Sequence, residues 1–251
     1  MTHELLRTNI SLEEAAKIQE KYSRILKESD QRITKITGIE QIKWIAGVDI
    51  SYYQDRNEEW GVSCAVLWNL TNNKMENHCL AEDIIKFPYK TGFLGFRECN
   101  LLAQAINKLP ETPDIIMCDG HGIIHPKRFG EAVQLGLALD VPTFGVAKNP
   151  FIGYSEWKTL KREKGKKVPI WAYDPKKAND SPQELIGNAV CLNNNMKPIF
   201  ISVGYKVTLD LSIKVALKTT KNHRQPEPLY LADSFSRQKI KDRFSVKPLI
   251  F

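Results

Sequence analysis

The chain has 251 residues, with 36 Lys and Arg against 29 Asp and Glu, and a formal net charge of +7 at pH 7. Hydrophobic residues make up 42% and charged residues 26%, which is ordinary for a globular protein and excludes collagen-like, coiled-coil and mostly disordered chains. We therefore expect a single domain over residues 1–251, with a core large enough to fold without disulfides or a structural metal.

Three further features of the composition concern the compartment of the protein. The chain has five cysteines, an odd number, and no two of them are spaced as in a zinc site or a redox-active dithiol. We therefore expect buried, reduced thiols. Met1–Glu14 lacks the apolar stretch of a signal peptide, and no apolar run approaches the ~20 residues of a membrane helix. These features predict a cytoplasmic protein with no membrane partner, or a nuclear one in a eukaryote, and we expect a monomer.

The first half of the chain predicts a helix, a three-stranded antiparallel meander and a second helix. Leu12–Leu26 has the apolar spacing of an amphipathic helix, with Ser11 as its N-cap. Asn72-Asn73 is typical of the turn between the last two strands. The expected strands and the second helix are Trp44–Tyr53, Gly61–Asn69, Met75–Phe87 and the helix Phe93–Leu109.

The second half alternates short strands with helices. Together with the meander, this order predicts a mixed α/β fold in which helices flank a sheet that has both antiparallel and parallel strands. The expected strands are Ile115–Cys118, Thr143–Val146, Val168–Tyr173, Ile186–Leu192 and Pro198–Val203. The expected helices are Pro126–Leu139, Leu209–Thr219 and Leu229–Lys241.

The positive charge is concentrated in two segments. Lys158–Lys177 holds eight Lys and Arg against two acids, and Lys214–Phe251 holds nine against three. We interpret the first as a basic insert and residues 236–251 as a flexible basic tail, both suited to hold phosphates. The last residues, Lys247–Phe251, faintly resemble a sliding-clamp peptide.

Two aspartates occupy positions where α/β proteins place functional groups. Asp49 lies inside the apolar strand, between Val48 and Ile50, where an unpaired carboxylate is costly. Asp119 ends the next strand and precedes Gly120, at the sheet edge where such folds bind ligands. A solvent-facing strand position and a plain turn are the alternatives for Asp49 and Asp119.

Two further acids interrupt apolar helical faces. Glu98 shares a helix face with Leu94, and Asp233 follows Leu231-Ala232. Each is weak when taken alone, because a solvated helix charge explains it equally well. Together with the two aspartates they predict a carboxylate cluster, and clustered carboxylates require a cation such as Mg²⁺, for which Mn²⁺ substitutes. Paired ions of this kind hydrolyse phosphodiesters.

These residues and six motif blocks in order resemble the endonuclease V family of inosine-directed nucleases. The likeness covers Ile45 to Phe235. The blocks are Ala46–Asp49, Pro88-Tyr89 with Gly92–Glu98, Asp119–Gly122 with His125-Pro126, Val141–Lys148, Ile201–Gly204, and Arg224–Pro228 with Ala232-Asp233. The resemblance implies a ribonuclease H-like fold and hydrolysis of a phosphodiester on the 3′ side of inosine in DNA or RNA, leaving 3′-hydroxyl and 5′-phosphate ends.

The resemblance also implies catalytic roles. Asp49 and Asp119 match direct metal ligands, and Glu98 matches the acid that holds or orients metal-bound water. Asp233 matches a fourth catalytic acid, and Lys148 matches the lysine near the scissile phosphate, where its charge offsets developing negative charge.

Substrate binding is implied for a second group of residues. Tyr89 matches a wedge that fills the gap left by a base taken out of the stack. Gly92 and Gly120 match residues that line the base pocket, where backbone groups discriminate hypoxanthine from adenine. His125 matches a histidine near the phosphate, with a hydrogen-bonded structural histidine as the alternative.

Two positions depart from the family pattern. After Tyr89 this chain has Lys90-Thr91 in place of the more rigid residues of many family members, which predicts a less rigid wedge. Tyr205 stands where many members have His. The alternatives to an inosine endonuclease are a ribonuclease H-like nuclease without base preference, a non-catalytic inosine-binding module and a metabolic phosphatase. The sequence does not distinguish a DNA from an RNA substrate.

Overall fold

The structure is a computed structural model, which describes residues 3–28, 36–177 and 183–245. The clamp-like ending Lys247–Phe251 lies outside these residues. Five helices and eight strands form the framework. The helices are α1 (Leu12–Glu28), α2 (Leu94–Ile106), α3 (Glu131–Leu139), α4 (Leu209–Thr219) and α5 (Glu227–Ser245).

One mixed sheet runs through the molecule. Its strands are β1 (Trp44–Asp55), β2 (Glu58–Asn69), β3 (Lys74–Ile84), β4 (Ile115–Cys118), β5 (Thr143–Ala147), β6 (Lys167–Trp171), β7 (Leu185–Val190) and β8 (Ile199–Tyr205). They lie side by side in the order β3-β2-β1-β4-β5-β8-β7-β6. The central strands β1, β4 and β5 are parallel, and the outer pairs are antiparallel. The predicted mixed sheet is therefore confirmed.

Both faces of the sheet are covered because successive residues of β1 point to opposite sides. Ile45 packs with Leu211 and Leu229 of α4 and α5. Its neighbour Ala46 packs on the other face with Leu101 of α2. The helix α1 adds a further layer against α3. The central strands thus lie between helices on both faces of the sheet.

The loop before α3 differs from the sequence-based expectation of a helix from Pro126. The α3 helix begins only at Glu131. The reason is the His125 ring, whose Nδ1 accepts hydrogen bonds from the backbone N–H groups of Lys127 (3.1 Å) and Phe129 (3.4 Å). These bonds hold the segment as a turn, and Arg128 within it has a φ of +53°, a left-handed conformation that interrupts a helix.

The expectation of a flexible tail over residues 236–251 is wrong for residues 236–245, which continue α5. Ser236 is buried, and its Oγ lies 2.8 Å from Oγ of Ser51 on β1. Near the end of the helix, the Arg243 guanidinium and the Phe244 ring both pack against Tyr53. The sequence shows no apolar stripe here because these contacts use polar and isolated aromatic side chains.

The basic insert 158–177 is part of the sheet rather than a separate loop. It contains β6, which pairs with β7 at the sheet edge. Among the described residues, β6 pairs on its other side only at Trp171, which bridges to Tyr154, and most of the lysines of the insert are exposed. None of the helices in the described ranges is long and apolar enough to cross a membrane.

Candidate active site

The register of the central strands brings two aspartates to one sheet edge. The parallel pairing of β1 with β4 ends at Val48 and Cys118, and the N–H of Asp119 donates to the carbonyl of Val48 (3.2 Å). Asp49 directly follows Val48 within β1, and Asp119 directly follows Cys118, the last residue of β4. Burial is the largest cause that raises the pKa of Asp49 well above its usual range, and repulsion by the Asp119 carboxylate adds to it.

Two glycines allow the close packing around this edge. A Cβ on Gly47 would lie 2.4 Å from Cβ of Pro228, so only glycine lets α5 approach β1 there. A Cβ on Gly145 would lie 2.5 Å from the carbonyl oxygen of Gly120. The loop after Asp119 therefore rests directly on β5.

A lysine and a glutamine hold the Asp119 carboxylate. Lys148 follows β5, and its Nζ lies 2.7 Å from Oδ2 of Asp119. Gln225 Nε2 donates to the same oxygen (3.1 Å). Burial opposes the charge of Lys148, but the Asp119 carboxylate outweighs it and raises the pKa of the lysine. The Arg224 guanidinium donates to the carbonyl of Lys148 and fixes the backbone at this point.

Glu98 reaches the site from α2 and is buried. Its Oε1 accepts a hydrogen bond from the Tyr52 hydroxyl, and the charge of Glu98 is one cause that raises the pKa of the buried Glu131 at the start of α3. Burial raises the pKa of Glu98 to about 7, and the charge of Asp119 acts in the same direction. We call Asp49, Glu98, Asp119 and Lys148 the carboxylate edge.

Asp233 lies within electrostatic range of the carboxylate edge, because its charge acts on both Asp49 and Lys148. Its own carboxylate is bound elsewhere, since Oδ1 accepts from Nε of Arg237 at 2.6 Å, one helical turn along α5. The fourth predicted acid is therefore near the site, but it is paired with a helix neighbour.

The donor set fits a divalent cation in type but is not assembled around a common point. Carboxylate oxygens are the ligands that Mg²⁺ and Mn²⁺ prefer, and repulsion between Asp49 and Asp119 favours a cation between them. In the described part of the chain, no three His, Cys, Asp or Glu are grouped closely enough to hold a metal ion. Lys148 instead occupies one oxygen of Asp119. A divalent cation shared by Asp49 and Asp119 would have to compete with Lys148 for Asp119.

A cavity of about 240 Å³ lies beside the carboxylate edge. It is bounded by the 89–92 turn, by the loops that follow β4 and β5, and by the start of α3. Tyr89 borders it with 71% of its side chain exposed. We call this space the Tyr89 cavity. Burial lowers the pKa of both His121 and His125, two of its lining residues, to about 4, so both rings are neutral near pH 7.

The predicted binding residues occupy different places around the Tyr89 cavity. Gly92 lines it and needs to be glycine because its φ is +87°. His125 also lines it, but its Nε2 donates to the carbonyl of Gly92 (3.0 Å) while its Nδ1 accepts from backbone. Both ring nitrogens are thus used, as the structural alternative for His125 predicts. Gly120 lies behind the lining, against the Glu131 carboxyl.

The two departures from the family pattern have different positions. Lys90 and Thr91 are exposed and line the Tyr89 cavity next to its aromatic edge. Tyr205 pairs with Thr143, at the opposite end of β5 from Lys148. Its buried ring donates through the hydroxyl to Asp140 (2.9 Å), so it belongs to the core.

Sequence reasoning missed four residues that bond to, or lie beside, the site acids or Lys148. They are Tyr52, Glu131, Arg224 and Gln225. Arg224 and Gln225 belong to the motif block Arg224–Pro228, so the sequence pointed to them but did not indicate what they do. Glu131 gave no signal, because an acid in the first turn of a helix is ordinarily a solvated charge.

Comparison with known proteins places the chain among endonucleases V. The endonuclease V family model matches residues 27–234. The endonuclease V of Nostoc punctiforme is 36% identical over 229 residues, which are 91% of this chain and 95% of that relative.

Solved structures extend the likeness to the whole fold. The endonuclease V of Streptomyces avermitilis superposes with a TM-score of 0.78 at 30% identity, covering 95% of this chain and 96% of that one. The Ciona intestinalis endonuclease V gives 0.79 at 27% identity over 93% and 100% of the two chains. That protein was crystallised with a 23mer DNA containing an inosine followed by a ribo-adenosine. The ribonuclease H-like fold predicted from the sequence is confirmed.

Proposed function

The chain belongs to the endonuclease V family, and from this premise we propose that it cleaves nucleic acid containing inosine. The bond hydrolysed is a phosphodiester on the 3′ side of the inosine, and the products carry 3′-hydroxyl and 5′-phosphate ends. The observation that carries the proposal is the placement of Asp49 and Asp119 side by side, where the parallel pairing of β1 with β4 ends, with Lys148 bonded to Asp119.

We propose that the cofactor is Mg²⁺, with Mn²⁺ as a substitute. When bound, such an ion lowers the pKa of water and stabilises negative charge on a phosphate. Asp49 and Asp119 would hold it directly. Glu98, buried beside them on α2, would orient the water that such an ion activates.

Lys148 has a second role in this proposal. With a cation held by Asp119, the Lys148 ammonium, now paired with that carboxylate, would be available to the scissile phosphate. A positive charge there stabilises the developing negative charge of the transition state. Arg224, through its bond to the Lys148 carbonyl, keeps the backbone of the lysine in place while the side chain turns.

The Tyr89 cavity suits the base. Hypoxanthine is uncharged, and the two histidines that line the cavity, His121 and His125, are neutral near pH 7. Exposed Tyr89 can stack in the gap that a flipped base leaves in the strand. The exposed lysines of residues 158–177 hold the backbone phosphates without reading sequence.

The decisive experiment compares four matched oligonucleotides that carry inosine or adenosine at one site, in DNA and in RNA. We expect cleavage of inosine strands with added Mg²⁺ or Mn²⁺, and the DNA-to-RNA ratio identifies the substrate. Equal cleavage of inosine and adenosine strands would establish a nuclease without base preference. Tight inosine binding without cleavage in either metal would establish a binding module. Hydrolysis of small phosphate esters, with no cleavage of any oligonucleotide, would establish a phosphatase.

A further inference from the structure

A second cavity, of about 220 Å³, lies beside β6 and has no part in the function proposed above. Its walls come from residues 154–156, from β6 and from the segment that follows β6. The half-buried Tyr154 and Trp171 line it, and Pro169 and Pro175 add apolar surface. We call this space the Trp171 cavity. Its volume is close to the 240 Å³ of the Tyr89 cavity, so it can hold a group of similar size.

Backbone pairing holds the aromatic walls of the Trp171 cavity in place. Tyr154 and Trp171 exchange two backbone hydrogen bonds, of 2.8 Å and 2.9 Å. Gly153 has a φ of +97°, and a Cβ there would lie 2.7 Å from the Trp171 carbonyl oxygen, so glycine is needed for this close approach. The cavity is therefore formed before a ligand enters, which lowers the entropy lost on binding.

The polar groups of the Trp171 cavity favour an uncharged ligand with a polar edge. Glu156 lines the cavity, but its Oε1 already accepts from the Tyr154 hydroxyl (3.1 Å) and from Nζ of Lys176 (3.0 Å). Ser155 also lines it, and its Oγ is buried without a hydrogen-bond partner among the described residues. Because an unpaired buried hydroxyl is costly, a ligand that bonds to it is stabilised. A nucleobase combines the flat ring and the polar edge that these walls fit.

One segment of the chain forms a wall of both cavities. Residues 149–151 line the Tyr89 cavity, and residues 154–156 line the Trp171 cavity. Phe151 and Tyr154 are three residues apart, so their Cα atoms are separated by at most about 11 Å. Stacked nucleotides advance about 3.4 Å each along a strand. One strand can therefore reach both cavities, and the exposed lysines of residues 158–177 give this surface the charge that a strand requires.

We propose that the Trp171 cavity is a second base-binding subsite, which takes an unpaired base of the same strand a few nucleotides from the inosine. The base stacks on Trp171 and Tyr154, and its polar edge bonds to Ser155. Stacking accepts every base, because every base has a π-face. The subsite favours single-stranded substrates, since a paired base is held within a duplex. The inference rests on the inosine-directed function proposed above.

The test is an abasic scan of an inosine single strand, read by anisotropy on the full chain without added metal ion so that the strand is not cut. Each strand lacks one base at a different position on either side of the inosine. We expect one position within about five nucleotides to weaken binding by roughly 10-fold, the usual loss for one stacked base. Trp171→Leu should weaken binding of the intact strand by a similar factor and abolish the sensitivity to that position. Trp171→Phe keeps a ring and should retain most of both.

Trp44→Leu is the matched control. Trp44 is also a half-buried tryptophan on a strand, at the start of β1, and it lines neither cavity. Its replacement should leave the abasic scan unchanged. Should Trp171→Leu not fold, Tyr154→Leu removes the other ring of the cavity and gives the same test. A fully paired inosine duplex is the second comparison, and Trp171→Leu should change its binding far less.

Each outcome supports or overturns the subsite. An abasic scan with no sensitive position, or one whose sensitive position persists in Trp171→Leu and Tyr154→Leu, would overturn the proposal. Equal losses for single strand and duplex in Trp171→Leu would indicate a contact with the phosphate backbone, which also overturns it. Equal binding of intact inosine and adenosine strands by the unmodified protein would instead contradict the proposed inosine-directed function, whatever the result at Trp171.

Discussion

The carboxylate edge and the Tyr89 cavity are neighbours built on opposite physical principles. The carboxylate edge stands on central strands, and its charges are buried close together, so the pKa values of Asp49 and Glu98 are raised. The Tyr89 cavity is formed mainly by loops, its histidines are neutral, and its aromatic edge is exposed. One region is shaped to attract a cation, and the other to accept an uncharged flat group.

This difference affects both stability and the response to substitution. Repulsion at the carboxylate edge is a cost in the absence of metal, which the surrounding sheet has to offset. At the Tyr89 cavity the polar groups differ: both ring nitrogens of His125 bond to backbone, whereas Nδ1 of His121 is buried and has no hydrogen-bond partner among the described residues. Substitutions at the carboxylate edge should therefore change rate, whereas those at the Tyr89 cavity should change binding.

Removal of an edge carboxylate should have the largest effect. We expect Asp119→Ala or Asp49→Ala to lower cleavage of an inosine strand by on the order of 1,000-fold or more, since metal charge stabilisation amounts to several kcal/mol. Binding of the same strand should change little. The measurements are single-turnover cleavage and strand binding by anisotropy. Full cleavage by either variant contradicts the assignment of the edge.

Removal of the Lys148 charge should also lower the cleavage rate, but by less. We expect Lys148→Met to reduce the cleavage rate at saturating substrate by roughly 100-fold, the usual loss for one charge-stabilising group. Mn²⁺ affinity should not fall, because the substitution releases Asp119 from its ion pair. A large loss of Mn²⁺ affinity with an unchanged rate would show that Lys148 only organises the acids.

Substitution of Tyr89 at the Tyr89 cavity should weaken strand binding and leave the cleavage rate at saturation unchanged. We expect Tyr89→Ala to weaken binding of an inosine strand by roughly 10-fold, since stacking of one base contributes about 1–3 kcal/mol. The melting temperature should not change, because the ring is exposed. Tyr89→Phe is the control that keeps the ring. A loss of rate at saturation with unchanged binding would place Tyr89 with the chemistry instead.

The stability of the metal-free protein should depend on pH through Glu98. Its pKa rises from 4.5 to about 7 on folding, so its contribution is fully present below pH 4.5. As the pH rises through about 7, the unfolded chain has released a proton that the folded chain retains, and stability is lost, on the order of 3 kcal/mol at most. Melting curves should show this fall, and Glu98→Gln should reduce it. A pH-independent melting temperature would contradict the burial of this acid.

The smallest expected effect concerns the basic insert. Replacing Lys161, Lys164 and Lys166 with Gln should reduce the salt dependence of strand binding, by about 0.7 to 0.9 in log–log slope for each phosphate that is no longer neutralised. The rate at saturation should remain the same. Lys17→Gln, an exposed lysine on α1, is the control. An unchanged slope would make the insert a solvated surface.

The sequence by itself determined the order of elements and the two principal acids. Apolar runs predicted the strands, and an Asp inside one central strand and an Asp after the next could be expected to converge, as the parallel pairing of β1 with β4 brings Asp49 and Asp119 together. Motif blocks placed Glu98, Lys148 and Tyr89. These are properties of local pattern and chain order, which a sequence carries directly.

Only the tertiary structure decided which groups lie beside those acids. Glu131 and Gln225 are distant in sequence from Glu98 and Asp119, and no periodic pattern encodes contacts between separate elements. The same holds for residues 236–245: the predicted helix Leu229–Lys241 covers most of them, but only the structure shows that they pack on β1. A side chain's partners depend on where the fold brings other elements, so its chemistry, unlike its secondary structure, follows from the assembled molecule.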